Sequence, residues 1–173
     1  AFQIDLRYKF SSKISALANY SNIRDLDGGT LYNEIYTQIE YKKRGKYHLK
    51  GGLQLQEYNQ ALYETKPEAI GNNVKTVTPY VDFLYKFSRK KSLRTEIQYM
   101  STEQDFGSWF YALLEYSMAP HWQFEASAMY NTDPKKALSN GVKEKILYPT
   151  LGVVYSKGPS RYSLRYVKQV EGI

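Results

Sequence analysis

Hydrophobic and polar residues alternate with a period of two over several separate stretches of the chain. The alternation is clearest over residues 2–10, 31–41, 93–99, 122–130 and 147–155. Such alternation places the apolar side chains of a β-strand on one face and the polar side chains on the other. No stretch of comparable length has the 3.6-residue spacing of an amphipathic helix. The pattern therefore predicts an all-β chain.

The connections between the predicted strands alternate in length. Short connections are predicted at residues 11–13, 43–46, 88–91, 119–121 and 157–160. Longer polar connections lie between them, at residues 22–30, 59–73, 102–108 and 131–145. This division leaves about ten strands, each near the roughly 9–11 residues that a tilted strand needs to cross a bilayer. Tight turns at one end and long loops at the other are typical of outer-membrane β-barrels.

Aromatic residues concentrate near the predicted strand ends, on the apolar side of the pattern. The chain has 18 tyrosines, and aromatic residues make up 16% of it. Next to the short turns, the candidates for an aromatic girdle are Tyr41, Tyr47, Phe87, Trp122, Tyr155 and Tyr162. At the opposite strand ends, a second girdle is predicted from Tyr20, Tyr99, Phe110 and Tyr130, with the smaller Leu53, Ile97, Ala126 and Leu151 between the two. Aromatic rings with one polar atom favour the two interfaces of a membrane.

We predict from these patterns an antiparallel up-and-down transmembrane β-barrel, with residues 1–173 forming a single barrel domain or a portion of a larger barrel. A mean hydropathy of −0.59 excludes a helical membrane protein. The alternative is a soluble barrel of the lipocalin kind that carries a hydrophobic ligand. Alternation alone leaves that alternative open, because it does not specify which face points inward.

The predicted polar face carries charges of both signs. The candidates for side chains facing a barrel lumen are Arg7, Glu34, Glu40, Lys50, Asp82, Arg94, Glu96, Glu125 and Arg165. In a narrow lumen these groups would have to pair across strands, because an unpaired buried charge is costly. In a wide pore they would stay hydrated and select ions. The sequence leaves both outcomes open.

The sequence offers no cluster suited to catalysis or metal binding. Its two histidines, His48 and His121, both lie beside predicted short turns, and the chain has no cysteine. A nucleophile–histidine pair or a transition-metal site needs such residues grouped together. We therefore predict a protein that is not an enzyme and that has no cofactor. A further expectation is local curvature at Gly51 and Gly52, since glycine inside a strand marks a bend or a close neighbour.

The net charge of +7 raises nucleic acid as a partner. The basic residues, however, concentrate in two predicted turns, over residues 42–46 and 89–91, and not along one face. Solvated turn residues explain this distribution better than a nucleic-acid interface does. We predict no nucleic-acid partner.

Residues 92–131 resemble an uncharacterised outer-membrane β-barrel family of Bacteroidota, known as a domain of unknown function. The resemblance rests on Leu93–Gln98, on the Gln-Asp-x-Gly-x-Trp loop of Gln104–Trp109, on the Ala-Pro-His-Trp turn of Ala119–Trp122 and on Met129–Asn131. Residues 161–173 look like the family's last strand. The resemblance implies a longer parent protein, with further strands before Ala1 and a short cysteine-containing tail after Ile173. It supplies no catalytic residue.

The predicted function is that of a non-enzymatic barrel in the outer membrane of a Gram-negative bacterium. It would serve as a structural or accessory subunit of an envelope complex for secretion, assembly or uptake. Its expected partners are the lipid bilayer and other outer-membrane proteins. One alternative is a diffusion channel for small solutes, and the other is the soluble lipocalin-like carrier.

Overall fold

The computed structural model describes residues 1–26, 28–63, 73–104, 106–135 and 141–168. Ten strands form the fold: β1 (Phe2–Lys9), β2 (Ile14–Arg24), β3 (Thr30–Lys43), β4 (Tyr47–Asn59), β5 (Asn73–Lys86), β6 (Lys91–Met100), β7 (Ser108–Met118), β8 (Trp122–Asp133), β9 (Leu147–Lys157) and β10 (Ser160–Val167). One helical turn, α1 (Gln60–Tyr63), follows β4. Within the described ranges, no helix has the length and hydropathy needed to span a membrane. The predictions of an all-β chain and of ten strands are confirmed.

The strands form one antiparallel sheet in which each strand pairs with its neighbours in sequence, from β1 to β10. The predicted alternation of short and long connections is also confirmed. Three or four residues join β1 to β2, β3 to β4, β5 to β6 and β7 to β8, and two join β9 to β10, whereas the intervening connections are longer. All the short turns therefore lie at one end of the sheet, and all the longer connections lie at the other end.

The sheet is open. Strands β1 and β10 each pair on one side only, and every residue of both strands is exposed. A barrel domain or a portion of a larger barrel was predicted, and the structure has an open ten-stranded sheet with two free edges, each presenting unpaired backbone N–H and C=O groups. Alternation and turn lengths define each strand and its neighbour, but they carry no information about whether the first and last strands meet.

The pairing register keeps the two kinds of side chain on opposite faces across the whole sheet. Directly opposed residues share a face, and Lys50, for example, lies opposite both Glu40 and Asp82. Register shifts occur between Ile23 and Arg24 and between Ser108 and Trp109, both next to long loops. Elsewhere in the paired strands the alternation continues without interruption, so the sheet has one polar face and one apolar face.

Exposure along β5 shows which way the sheet curves. The polar-face residues Thr76 and Thr78 are 5% and 7% exposed, whereas Val77 and Val81 on the apolar face are 44% and 50% exposed. In a single layer, side chains crowd together on the concave side and separate on the convex side. The polar face is therefore concave and the apolar face convex.

The predicted close neighbours of the strand glycines are present at Gly52. A Cβ atom at Gly52 would lie 2.1 Å from the carbonyl oxygen of Thr37 and 2.7 Å from Cε1 of Tyr80, whose ring covers this position on the concave face. A Cβ atom at Gly51, on the convex face, would come no closer than 3.6 Å, to the carbonyl oxygen of Tyr80. Only at Gly52 do the neighbouring atoms leave no room for a side chain.

We expect Gly52→Ala to destabilise the sheet by about 1–3 kcal/mol, because the added methyl group forces backbone and ring to shift. Gly51→Ala, the matched control, should be neutral or slightly stabilising, because it restricts the unfolded chain without a clash. The midpoint of denaturant-induced unfolding of the purified variants measures both. Equal midpoints for the two variants would contradict the described approach of Tyr80 and Thr37.

Candidate functional site

All nine candidates for lumen-facing side chains lie on the concave face. Their register assigns them to it: Glu40, Lys50, Asp82 and Glu96 form one row of opposed residues, and Arg94, Glu125 and Arg165 belong to the adjacent row. Arg7 on β1 and Glu34 on β3 lie outside these rows. The structure thus brings seven of the nine candidates into two neighbouring rows near the short turns, which we call the charged half of the concave face.

Arg94 is the centre of an ion-pair cluster in the charged half. Asp82 and Glu96 lie directly opposite each other on β5 and β6, an arrangement that is unfavourable for two carboxylates. The guanidinium Nη2 of Arg94 lies 3.0 Å from Asp82 Oδ2 and 2.5 Å from Glu96 Oε2. The amide of Gln98 also donates to Glu96. One arginine therefore bridges two opposed acids across the strands.

A second ion pair crosses β9. Arg165 on β10 donates to Glu125 on β8 at 2.8 Å, passing over Gly152 on the strand between them. A Cβ atom at Gly152 would lie 3.5 Å from Glu125 Cβ and 3.7 Å from Arg165 Nε. The missing side chain leaves room for the pair to form.

The two histidines lie where the sequence predicted, beside short turns, but in different surroundings. Nδ1 of His121 donates to the carbonyl oxygen of Ser156 at 2.7 Å. His48 points to the concave face, where Nε2 lies 2.5 Å from Glu40 Oε1 without the alignment of a hydrogen bond. Among the residues that the structure describes, no three metal-binding side chains converge.

The long-loop half of the concave face has a different chemistry, which we call the aromatic half. Two pairs of parallel rings lie there: Tyr36 with Tyr80, at a centroid distance of 5.9 Å, and Trp109 with Tyr148, at 5.7 Å. The hydroxyl groups of Tyr36 and Tyr80 are hydrogen-bonded to each other, and Tyr80 donates to Gln38 at 2.9 Å. The sequence analysis did not predict this zone. The signal was available, because these aromatic residues occur at positions where the alternation otherwise places polar residues.

A cleft of about 350 Å³ opens in the aromatic half, between β7 and β10. It is lined by Tyr111, Ser127, Met129, Tyr148, Thr150, Val167 and Lys168. Tyr111 lies opposite Met129, which in turn lies opposite Tyr148. The two tyrosine rings thus flank a methionine on the concave surface.

The six candidates for a girdle beside the short turns lie on the convex face, most of them in an almost continuous band of rings. Successive centroids are 4.6–6.5 Å apart along Tyr41, Tyr47, Phe83, Tyr85, Phe87 and Tyr116, and along Phe124, Trp122 and Tyr155. Tyr162 lies opposite Tyr155. The structure adds Phe83, Tyr85, Tyr116 and Phe124 to the six predicted members. Ring contacts of this kind stabilise a fold by more than the burial of their apolar area alone.

The second predicted girdle lies at the opposite strand ends. Tyr99, Phe110 and Tyr130 face one another directly across β6, β7 and β8. Tyr20 contacts Phe2 at 6.3 Å. Between the two bands, the convex face carries the predicted smaller apolar residues, such as Ile97 opposite Ala112 and Leu151 opposite Ala126.

The loop between β6 and β7 joins three strands at the long-loop end. Gln104 donates to the carbonyl oxygen of Asn73 at 2.9 Å and accepts from the backbone N–H of Lys75 at 2.8 Å. Gly107 has a φ of +82° and sits so close to Asp133 that a Cβ atom would lie 1.9 Å from its carbonyl oxygen. This geometry explains the Gln and Gly of the Gln104–Trp109 motif.

Lys135 links this loop to the end of β8. Its Nζ lies 2.6 Å from Glu103 Oε2 and 2.8 Å from Asp133 Oδ2. These two carboxylates raise the pKa of Lys135, with Asp133 having the larger effect. The loop and the strand end are therefore held together by charge as well as by the backbone packing at Gly107.

We expect Arg94→Gln to destabilise the protein by about 2 kcal/mol, because Asp82 and Glu96 would face each other without the guanidinium that bridges them. Arg165→Gln is the matched control, with a 59% exposed side chain and one acidic partner, and should cost less than about 1 kcal/mol. Denaturant unfolding midpoints measure both effects. Adding Asp82→Asn should restore part of the stability lost in Arg94→Gln, and no restoration would contradict the role of charge.

The comparisons with known proteins give one finding. The model of a family of unknown function, DUF6029, matches residues 1–173. No curated protein and no solved structure matches the chain. The predicted membership of a domain family of unknown function is confirmed, and the chain belongs to DUF6029.

Proposed function

We propose that the chain forms the wall of an outer-membrane β-barrel, with its convex face on lipid and its concave face lining the interior. The observation that carries this proposal is the exposed apolar surface between the two aromatic bands. Ile39 is 64% exposed, Leu151 58% and Ile97 52%. Large continuous apolar surfaces on proteins are normally covered by a partner or a membrane. An apolar band flanked by aromatic girdles matches the hydrocarbon layer and its two interfaces.

The free edges add a requirement. In lipid, every backbone polar group must be satisfied within the protein, so an open edge cannot persist there. Strand β1 runs toward the short turns and β10 runs away from them. Their opposite directions permit antiparallel closure of β1 on β10, and they equally permit closure through additional strands inserted between them.

The direction of curvature favours this proposal over a soluble lipocalin-like carrier. Such a carrier must turn its apolar face inward to line a ligand cavity. Here the apolar residues lie on the convex side, and Thr76 and Thr78 crowd the concave side. Converting one form into the other would require the sheet to reverse its curvature.

We assign the barrel a non-enzymatic structural or accessory role in an envelope complex for secretion, assembly or uptake in a Gram-negative bacterium. The lipid bilayer and other outer-membrane proteins are its proposed partners. The charged half supports a structural role, because Arg94 engages Asp82 and Glu96 and Arg165 engages Glu125. Such mutual pairing is typical of groups that hold strands together.

We expect Ile97→Lys to impair folding into lipid vesicles, because a lysine at mid-height on a lipid-facing strand costs about 2–4 kcal/mol. Gln98→Lys changes the next residue, on the concave face, and should leave folding nearly unchanged. The fraction folded, read from heat-dependent electrophoretic mobility, measures both. Equal loss in the two variants would contradict the assignment of faces, and wild-type protein that fails to partition into detergent would contradict the membrane proposal itself.

A diffusion channel is the second candidate, favoured by the hydration of part of the concave face. The side chain of Arg94, on the central strand β6, is 35% exposed although it is ion-paired. Partial hydration of this kind fits a water-filled interior.

Conductance across planar bilayers separates the two roles. A channel should give an open, salt-dependent current, and Gln98→Lys should shift its reversal potential in a salt gradient toward anion preference. Ile97→Glu protein that does insert should leave the preference unchanged. Electrical silence of folded wild-type protein would contradict the channel and support the structural role.

A further inference from the structure

We propose that the aromatic half of the concave face binds a neutral oligosaccharide, with Tyr111 and Tyr148 as its stacking platform and Trp109 stacked against Tyr148. This site is independent of catalysis and of ion conduction. It differs from the aromatic girdles because its rings lie on the polar, concave face. Aromatic residues there cannot serve as lipid anchors if the convex face contacts the bilayer, so their presence needs another explanation.

The ring geometry suits a flat ligand with apolar faces and a polar rim. Trp109 and Tyr148 lie nearly parallel, with an interplanar angle of 20°, and Tyr111 and Tyr148 flank Met129 on neighbouring strands. The faces of aromatic rings carry negative potential and attract weakly polarised C–H groups. A sugar ring presents C–H groups on its faces and hydroxyl groups around its edge, and therefore stacks on such a platform.

Hydrogen-bonding groups surround the platform. Ser127 and Thr150 lie opposite each other at the floor of the cleft, and Gln98 lies opposite Tyr111. Hydroxyl and amide groups both donate and accept, as sugar hydroxyl groups do. A few polar groups placed among aromatic and apolar lining residues are the usual composition of a small-molecule site. The volume of about 350 Å³ lies within the range of roughly 300–1,000 Å³ of such sites.

The charges near the cleft indicate a neutral ligand. Along β7 and β8, the concave residues from the Glu96 row to the long loops are uncharged: Leu113, Tyr111, Trp109, Ser127, Met129 and Asn131. Of the carboxylates next to them on the face, Glu96 is paired with Arg94 and Glu125 with Arg165, and Glu115 lies directly opposite Arg94. Lys168 lies at the rim of the cleft, just after β10. A single rim cation, beside acids that each face an arginine, gives little selection for a charged sugar.

The chain's two tryptophans allow a direct test, because Trp109 is on the concave face and Trp122 is on the convex face. In Trp122→Phe protein, tryptophan fluorescence reports on Trp109, and in Trp109→Phe protein it reports on Trp122. Folded protein should be held in lauryldimethylamine oxide, since maltoside detergents carry a sugar head group that would compete. The probes are maltohexaose, cellohexaose and chitohexaose, with trigalacturonate as the anionic comparison.

We expect at least one neutral hexasaccharide to change the emission of Trp122→Phe protein saturably, and to leave that of Trp109→Phe protein unchanged. Adding Tyr148→Ala to Trp122→Phe should weaken binding at least tenfold, whereas adding Tyr130→Ala, on the convex face, should leave the affinity within twofold. Tyr148→Phe keeps the ring and should bind nearly as well as the parent. Calorimetric titration of the wild-type protein provides a readout that does not depend on any substitution.

Three results would overturn the proposal. They are the absence of binding of all three neutral hexasaccharides at millimolar concentration, an unchanged affinity in folded Tyr148→Ala protein, and binding of trigalacturonate as tight as that of the neutral probes. None of these results bears on the barrel proposal, because sugar binding is measured on protein already folded in detergent. Failure of the barrel proposal would instead appear as failure to enter detergent or vesicles.

Discussion

The organisation of this protein depends on one constraint, the unbroken antiparallel register from β1 to β10. The pleat reverses the side-chain direction at every residue, so a one-residue slip in any pairing would exchange the faces of all strands beyond it. The two register shifts, at Ile23/Arg24 and Ser108/Trp109, lie at the long-loop end, where their effect on the faces is small. The register thus collects side chains from ten short segments into one apolar surface and one polar surface.

The two surfaces have separate internal order. The convex face is layered, with a ring band at each end and smaller residues such as Ile97 and Ala112 between them. The concave face is divided into a charged half near the short turns and an aromatic half near the long loops. Cross-strand contacts over glycine stabilise both halves, with Tyr80 lying over Gly52 and Arg165 reaching over Gly152. The same sheet therefore carries an apolar surface with aromatic bands on one side and a polar surface with two distinct chemistries on the other.

The sequence predicts features that depend on the period of the alternation and on turn length. The ten strands and the order of short and long connections are confirmed, and the alternation correctly separates Arg94 and Trp122 onto opposite faces. The sequence does not predict features that depend on the pairing register or on the direction in which the sheet curves. Alternation is the same for a sheet bent either way, so the concave polar face could not be derived. The opposition of Asp82 and Glu96, and the stacking of Trp109 on Tyr148, require knowledge of which residues face each other.

The proposed contact of the convex face with lipid and of the concave face with water can be measured directly, because the chain has no cysteine. Single cysteines placed one at a time from Leu93 to Tyr99 on β6, labelled with a fluorophore in protein folded into vesicles, report the environment of each position. We expect strict alternation, with bromolipid quenching at 93, 95, 97 and 99 and iodide quenching at 94, 96 and 98. Uniform quenching by iodide along the strand, or alternation of the opposite phase, would contradict this assignment of the faces.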